Sequence, residues 1–289
     1  MAKAPTEPDR QRGNRVADIV GAFGVPHTPI YPALVEREPG CDTARFFASL
    51  TRELEVMRPD LLVMFDTDHL NTFFLDNLPI VAVGVTDAFK GPNDEPRAVP
   101  IYTIKSRADV ASHIRRAGIE AGFDLALAQE FTVDHSVVVP LHFMVPSMQI
   151  PVIPIFVSGH VAPLPSARRC LELGAVVKRA IESFPEKLRV AVMGSGSFSL
   201  EVFGPRIAPG KSDGVPDPEW AKRACDLIGD GQYETLVAES TPRQLRKAGN
   251  VGGEILNWIA MLASVGGRRP KFITPQLEQG HAYAAWTWS

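Results

Sequence analysis

Apolar runs alternate along the chain with stretches that are apolar on one side only, the pattern of interleaved strands and helices. We find no internal repeat and no low-complexity segment between them. Seven short apolar runs predict β-strands: Ala17–Phe23, Asp60–Phe65, Ile80–Val85, Asp124–Ala128, Val152–Val157, Leu188–Met193 and Lys271–Thr274. The pattern therefore predicts one α/β domain.

Helical periodicity fills two of the longer gaps. Thr43–Arg58 carries four apolar residues on one face, and Pro59 then ends the predicted helix. Arg168–Ser183 shows the same spacing. Asp217, followed by proline, predicts a helix start with aspartate as N-cap. The Gly-, Pro-, Ser- and Asp-containing segment Pro205–Pro216 predicts an exposed, mobile loop.

Composition narrows the class of protein. The 289 residues include 33 acidic and 30 basic side chains, a net charge of −3 that argues against a nucleic-acid partner. No apolar run is long enough for a membrane helix, and the polar first 15 residues contain no signal-peptide core. Three cysteines without metal-site spacing fit a reducing compartment. We expect a cytoplasmic protein with a flexible tail at residues 1–15 and one catalytic α/β domain at 16–289.

Two histidines follow predicted strands directly. His27 lies in the segment Gly24–Pro29 after the first strand, and His69 lies in Asp66–Phe74 after the second. Ligand sites of open α/β sheets gather at the carboxyl ends of strands, so both histidines are candidate site residues. Either one alone is more often an ordinary hydrogen-bonded loop residue.

Glu254 opens a helix that is apolar almost all round, Gly252–Leu262, and this helix is therefore predicted to be buried. A carboxylate in such surroundings needs a cation or several hydrogen-bond donors. An arginine partner or the N-terminal helix dipole would satisfy it, and so would a metal ion. Two histidines and one carboxylate serve both non-haem Fe(II) oxygenases and zinc hydrolases, so the residue types leave the metal open.

Several blocks of the chain resemble the class III extradiol ring-cleaving dioxygenases, the family of the catalytic beta subunits of protocatechuate 4,5-dioxygenase and gallate dioxygenase. His27 with a proline close by and the Asp68–Phe73 block follow the first two predicted strands, as in the family. Further similar blocks follow in the family's order: Val133–Leu141, Pro165–Cys170, Ile181–Leu188 and the Glu254 helix. The resemblance covers most of residues 17–265.

The resemblance implies a central mixed sheet flanked by helices and an Fe(II) ion held by His27, His69 and Glu254. It implies that His135 lines the pocket as a catalytic residue, where it would hydrogen-bond to bound oxygen. The substrates would be O₂ and an aromatic ring with two adjacent hydroxyl groups. We expect a homo-oligomer, and some relatives add a small second subunit.

One departure from the family concerns proton transfer. Relatives carry a Gly-Thr-Gly-Gly-x-Ser-His-Gln block whose histidine acts as acid/base, and Leu200 stands at that position here. Leucine cannot transfer a proton. His160, at the end of another predicted strand, is our candidate replacement; Glu201 ranks below it, and His281 lies in a C-terminal tail of unknown path. His113 is expected on an amphipathic helix and His142 in an apolar loop.

Three functions stay open at this point. The first is an Fe(II)-dependent dioxygenase that opens catecholic or 2-aminophenol-type rings. The second is the same fold with different oxidative or hydrolytic metal chemistry, for which Leu200 is the reason. The third is a binding subunit that keeps the pocket without turnover. Arg97, Arg168 and Arg206 are candidate partners for a substrate carboxylate.

Overall fold

A computed structural model describes residues 17–288, which form a single α/β domain built on one eight-stranded sheet. Its strands, in spatial order, are β11 (Phe272–Gln276), β12 (His281–Thr287), β1 (Ala17–Val25), β8 (Leu188–Ser195), β2 (Leu61–Asp66), β7 (Val152–Val157), β3 (Val81–Gly84) and β6 (Ala126–Ala128). The predicted tail, residues 1–15, lies outside this range. No helix within 17–288 is long and apolar enough to cross a bilayer.

The sheet is mixed, and this confirms the predicted fold class. Strands β1, β8, β2 and β7 are parallel neighbours at its centre. Strand β3 pairs with β7 in the antiparallel direction, and β12 pairs with β1 in the same way. Two hairpins lie outside the sheet: β4 (Ala88–Gly91) with β5 (Tyr102–Lys105), and β9 (Glu201–Val202) with β10 (Asp213–Gly214).

Helices cover both faces of the sheet. The first face packs against α1 (Tyr31–Arg37), α2 (Asp42–Met57) and α4 (His135–Met144). The second packs against α3 (Ala108–Glu120), α5 (Ala167–Ser183), α6 (Pro218–Gly229), α7 (Tyr233–Glu239), α8 (Pro242–Lys247) and α9 (Ile255–Leu262). Strand β2 shows why two cores form: Leu61, Val63 and Phe65 enter the second, whereas Leu62 and Met64 enter the first.

All seven predicted strands are present, with ends displaced by no more than two residues. The expectation that His281 lies in a tail is wrong, because this residue begins β12, which is buried along six of its seven residues. Three alanines in β12 have low strand propensity and hide it from a pattern search. The expectation of a loop at His142 is also wrong: this residue lies in α4, which continues past Pro140. Asp217 is confirmed as an N-cap, since its side chain accepts from the backbone N–H of Trp220.

Candidate metal centre

The candidate site lies at the carboxyl edge of the four central parallel strands. His27 follows β1 by two residues, His69 follows β2 by three, and His160 follows β7 by three. Ser195 is the last residue of β8. Glu254 reaches the same place from a single 3-10 turn, Gly252–Glu254, that precedes α9. Adjacent parallel strands end side by side, which is why residues far apart in sequence meet here.

Three imidazoles converge on one carboxylate oxygen. The Nε2 atoms of His27, His69 and His160 lie 3.0, 3.1 and 3.1 Å from Oε1 of Glu254. Glu254 is fully buried, and no lysine or arginine within residues 17–288 pairs with it. The structure thus brings together the three ligands predicted from sequence and adds His160 to them.

The other nitrogen of His69 is held by a buried carboxylate. Asp134 accepts hydrogen bonds from both Nδ1 and the backbone N–H of His69, at 2.9 and 2.8 Å. A histidine that donates Nδ1–H to a carboxylate and turns Nε2 to the site has the arrangement common among metal ligands. Burial acts to raise the pKa of Asp134, but the imidazoles of His69 and His135 outweigh it and hold the pKa well below its usual value.

The other nitrogen of His27 is held by a serine. Its Nδ1 lies 2.7 Å from Oγ of Ser195, and that hydroxyl donates its single hydrogen to the carbonyl of Ser136 at 2.9 Å. Oγ is therefore an acceptor toward His27, which must carry its proton on Nδ1. The Nε2 lone pair of His27 consequently faces Glu254 and the site.

Pro140 explains why the carbonyl of Ser136 is available. In a regular helix the N–H four residues onward would bind this carbonyl, but proline has no N–H. Pro140 lies inside α4 at that position, and Ser195 Oγ takes the free acceptor instead. A proline that breaks the hydrogen-bond pattern of α4 thus contributes to the orientation of His27.

The second oxygen of Glu254 has a backbone partner. Oε2 accepts from the N–H of Ser197 at 2.8 Å. The chain reaches this position through Gly196, whose φ is +148° and whose added Cβ would lie 2.5 Å from Cβ of Glu254. Only glycine permits both the conformation and the approach. Burial acts to raise the pKa of Glu254, but the three imidazoles overcome it and hold the pKa well below its usual value.

His135, predicted as a catalytic residue, borders the cluster from the start of α4. Its ring stacks on that of His69, with centroids 4.3 Å apart. Asp94 accepts from both Nδ1 and the backbone N–H of His135, the latter at 3.0 Å. Its Nε2 makes no hydrogen bond within residues 17–288. His135 does not contact Glu254, which distinguishes it from the other three histidines.

Leu200 and its neighbour Glu201 are each held by nearby residues. The carbonyl of Leu200 accepts from the N–H of Val251 at 3.1 Å, which fixes this strand end beside the Glu254 turn. Glu201 is buried and paired with Arg206. Burial acts to raise the pKa of Glu201, but Arg206 outweighs it and lowers the pKa below its usual value. A carboxylate of that kind is a poor proton acceptor.

His281 lies near the cluster without joining it. Its Nε2 is 2.9 Å from the hydroxyl of Tyr31, and the imidazole is buried. Burial lowers its pKa to about 3, so the ring is neutral. His113 lies on α3 as predicted, where it bonds to Ser183 at 3.0 Å, and it is remote from the site.

A cleft of about 380 Å³ opens beside His160. It is lined by Pro163, Leu164 and Leu245 and by the arginines Arg206 and Arg246. Of the arginines predicted to meet a substrate carboxylate, Arg206 lines this cleft but is paired with Glu201, and Arg168 pairs with Glu234 on the surface.

The donor set fits a divalent metal. His69 faces a carboxylate at each nitrogen, and the Nδ1 protons of His27 and His69 are already donated, so an ion at the centre would use the Nε2 lone pairs. Glu254 would supply the negative charge. Two or more imidazoles with one carboxylate match iron and zinc rather than calcium or magnesium, which prefer oxygen ligands.

Residues 21–286 match the family model described as the catalytic LigB subunit of aromatic ring-opening dioxygenase. A buried His/Glu cluster at the carboxyl edge of an α/β sheet is typical of a mononuclear metalloenzyme. The family match identifies the class of enzyme as an aromatic ring-opening dioxygenase. The chain belongs to that family of ring-opening dioxygenases.

Individual relatives agree with this assignment. The chain is 27% identical to the 2,3-dihydroxyphenylpropionate/2,3-dihydroxicinnamic acid 1,2-dioxygenase of Klebsiella pneumoniae subsp. pneumoniae, over 83% of this chain and 87% of the relative. It is 31% identical to the enzyme of that name from Photorhabdus laumondii, over 83% and 86%. The chain is 32% identical to the gallate dioxygenase of Pseudomonas putida, over 57% of this chain and 47% of the relative.

A solved structure supports the fold. An uncharacterized protein of Escherichia coli K12 aligns with a TM-score of 0.57 at 14% identity, covering 93% of this chain and 100% of the other. At that identity the likeness concerns the fold alone.

Sequence reasoning missed the residues that orient the histidines. Asp134, Ser195 and Asp94 hold the Nδ1 atoms of His69, His27 and His135. A signal for Asp134 exists in the sequence, because it is also the N-cap of α4 and precedes His135. Ser195 and Asp94 give no such local signal.

Proposed function

We propose that this protein is a non-haem Fe(II)-dependent extradiol dioxygenase that opens a catecholic ring with O₂. His27, His69 and Glu254 would hold the metal. The observation that carries the proposal is the convergence of imidazole nitrogens on the buried Oε1 of Glu254, at 3.0 and 3.1 Å. Iron held by two histidines and one carboxylate supplies open positions for substrate oxygens and O₂.

His135 is the first of two proposed catalytic residues. Asp94 accepts a hydrogen bond from the Nδ1–H group, so the Nε2 lone pair is available to accept a hydrogen bond or a proton. The ring is fixed twice, by Asp94 and by stacking on His69. A fixed imidazole of this kind can stabilise charge that develops on oxygen beside it.

His160 is the second. Leu200 occupies the position of the family's acid/base histidine, and His160 would replace that histidine. Nε2 of His160 lies beside Oε1 of Glu254, as do the Nε2 atoms of the proposed histidine ligands. His160 also lines the 380 Å³ cleft, through which an aromatic diol would enter. We propose that it accepts the proton of the second hydroxyl group.

The test is reconstitution with Fe(II) followed by an aromatic panel in air. The panel contains protocatechuate, gallate, 2,3-dihydroxyphenylpropionate and 2-aminophenol, and the readout is the near-visible absorbance of ring-opened products. We expect the wild type to give near-visible absorbance with at least one diol. We expect His69→Ala to give no such absorbance and to contain no bound iron. An iron-replete, active His69→Ala variant would refute the ligand assignment.

Leu200 favours one alternative, the same fold with different metal chemistry. Metal analysis after expression separates the readings. Bound zinc without ring opening would support hydrolysis, and a metal-free protein that still binds diols would support a binding subunit. We further propose a cytoplasmic homo-oligomer without nucleic-acid or membrane partners; sedimentation at several concentrations tests the oligomer.

A further inference from the structure

We propose that His160 is a fourth protein ligand of the metal in the substrate-free enzyme, which makes the centre a three-histidine, one-carboxylate site. This inference rests on the metal centre of the proposed function. It adds a ligand to the set that the resemblance implies.

His160 lies as close to Oε1 of Glu254 as the two other proposed histidine ligands do. Donor atoms that bind one ion at about 2.1 Å and at right angles to each other lie about 3 Å apart. Nε2 of His160 is 3.1 Å from Oε1 of Glu254, and the corresponding distances for His27 and His69 are 3.0 and 3.1 Å. The donor atoms of His69, His160 and Glu254 all lie within 4.8 Å of one another, whereas His27 belongs to a second such group with His69 and His135.

The backbone is built to bring His160 and Glu254 together. Each residue is preceded by a glycine, and the two glycines touch: a Cβ on Gly253 would lie 2.1 Å from the carbonyl oxygen of Gly159. A Cβ on Gly159 would lie 2.7 Å from Oγ1 of Thr67. Larger side chains at these positions would push the His160 loop away from the Glu254 turn, so the contact depends on the main chain.

Hydrogen bonds hold this arrangement on both sides. Oγ1 of Thr67 donates to the carbonyl of Val157 at the end of β7 and accepts from the side-chain amide of Asn257 at 3.0 Å. Asn257 also donates to the carbonyl of Ser195. Strand β7, which precedes His160, is thereby tied to α9, which follows Glu254.

His135 is the competing candidate for a fourth ligand, because the donor atoms of His27, His69 and His135 also lie within 4.8 Å of one another. It is equally close to His69, with ring centroids 4.3 Å apart against 4.6 Å for His160. It makes no contact with Glu254, and Asp94 rather than a glycine-lined loop sets its position. The contact with Glu254 therefore favours His160 over His135 as the fourth ligand.

A fourth ligand changes what the site offers. Four protein donors leave two positions of a six-coordinate ion open, whereas three donors leave three. A diol bound through both oxygens would need these two positions, so O₂ would have room only if His160 were displaced. Nε2 of a displaced His160 would have a free lone pair to accept the proton of the diol's second hydroxyl group. One residue would then serve as ligand first and as base afterwards, at a site without the family's histidine.

The test counts imidazole ligands by X-ray absorption of the substrate-free Fe(II) protein. We expect three in the wild type, two in His160→Ala and three in the matched control His135→Ala. Chelator competition with Co(II) should show binding weakened by about 10- to 100-fold or more in His160→Ala, and by much less in His135→Ala. Two imidazoles in the wild type, or equal Co(II) affinity in wild type and His160→Ala, would overturn the inference.

A second variant guards against misfolding. Gly253→Ala keeps the histidine but separates the two loops, and it should also lower the count to two. If either variant fails to fold, the wild-type count alone decides. Two imidazoles in an enzyme that opens rings would refute only the inference, whereas three in an enzyme that opens no ring would refute only the proposed function.

Discussion

Oγ of Ser195 lies 2.7 Å from Nδ1 of His27 and fixes which nitrogen of that ring faces Glu254. The serine is at the end of β8 and the histidine just beyond β1, two strands that run side by side. The hydroxyl can act only as acceptor here, because its hydrogen is donated to Ser136. Orientation of the proposed ligand therefore depends on a residue that is not itself a proposed ligand.

Ser195→Ala tests this dependence. The substitution frees the His27 ring to rotate or change tautomer, and we expect metal affinity to fall by about 10- to 100-fold, as for other residues that orient ligands. Chelator competition measures the change. Ser197→Ala is the matched control, since Ser197 contacts Glu254 through its backbone N–H, which the variant keeps. Equal losses in the two variants would contradict the assignment.

Glu254→Gln should separate metal binding from folding. Glutamine nearly preserves the side-chain volume, so the fold is expected to survive, but the negative charge is lost. A ligand that binds only the folded state raises the melting temperature. We expect added Fe(II), under anaerobic conditions, to raise the Tm of the wild type and not that of the variant.

Glu201→Gln is the control for that experiment. Glu201 is also buried but pairs with Arg206 away from the metal centre. Its variant should melt at a lower temperature and still respond to Fe(II). A metal-induced shift that persists in Glu254→Gln would remove Glu254 from the ligand set.

Asp94→Asn should slow turnover and leave the metal in place. Asp94 fixes the Nδ1 proton of His135 but contacts none of the proposed ligands through its side chain. Loss of a supported acid/base group costs about 10²–10⁴ in rate, so we expect a fall in kcat toward that range. The pH profile should move as well. In an Asp94→Asn, His135→Ala double variant the losses should not add, whereas full additivity would show independent roles.

Asp66 predicts a pH dependence of stability in the metal-free protein. Burial, together with Asp134 and Asp68, raises the pKa of Asp66 well above its usual value. Ser136 gives its hydrogen to Asp134 at 2.6 Å and lies 3.4 Å from Asp66, which fits a protonated Asp66 as donor. Above the ordinary aspartate pKa of about 3.9, the folded state then binds more protons than the unfolded state, and stability falls as pH rises.

Asp66→Asn removes this dependence. We expect the variant to gain stability relative to the wild type as pH increases from about 4 toward the raised pKa, measured by urea unfolding at several pH values. Asp76→Asn makes the same chemical change at an exposed position and should follow the wild type. A difference between Asp66→Asn and the wild type that is constant with pH would contradict the expectation.

The sequence predicts the central strands and the positions of the histidines because those signals are local. Runs such as Val152–Val157 are apolar throughout, as buried parallel strands require. His27 and His69 directly follow such runs. Strand β12 gives no such signal, because its alanines are buried by neighbouring strands rather than by their own preference for extended structure.

The supporting residues could not be predicted for a similar reason. Ser195 and His27 are 168 positions apart, and only the pairing of β1 with β8 brings them together. The Gly159 and Gly253 contact joins two loops that sequence alone does not relate. His160 could be predicted as a site residue from its strand end, but its contact with Glu254 required the structure.

The sequence separation of the proposed metal ligands also bears on whether folding or metal binding comes first. His27 and Glu254 are 227 positions apart and meet only after the central strands have paired. Small zinc domains fold around their ion because their ligands are close in sequence and their cores are small. Here two extensive apolar cores lie on the two faces of the central sheet. We therefore expect the chain to fold first without an ion, and a metal at the proposed site to bind afterwards.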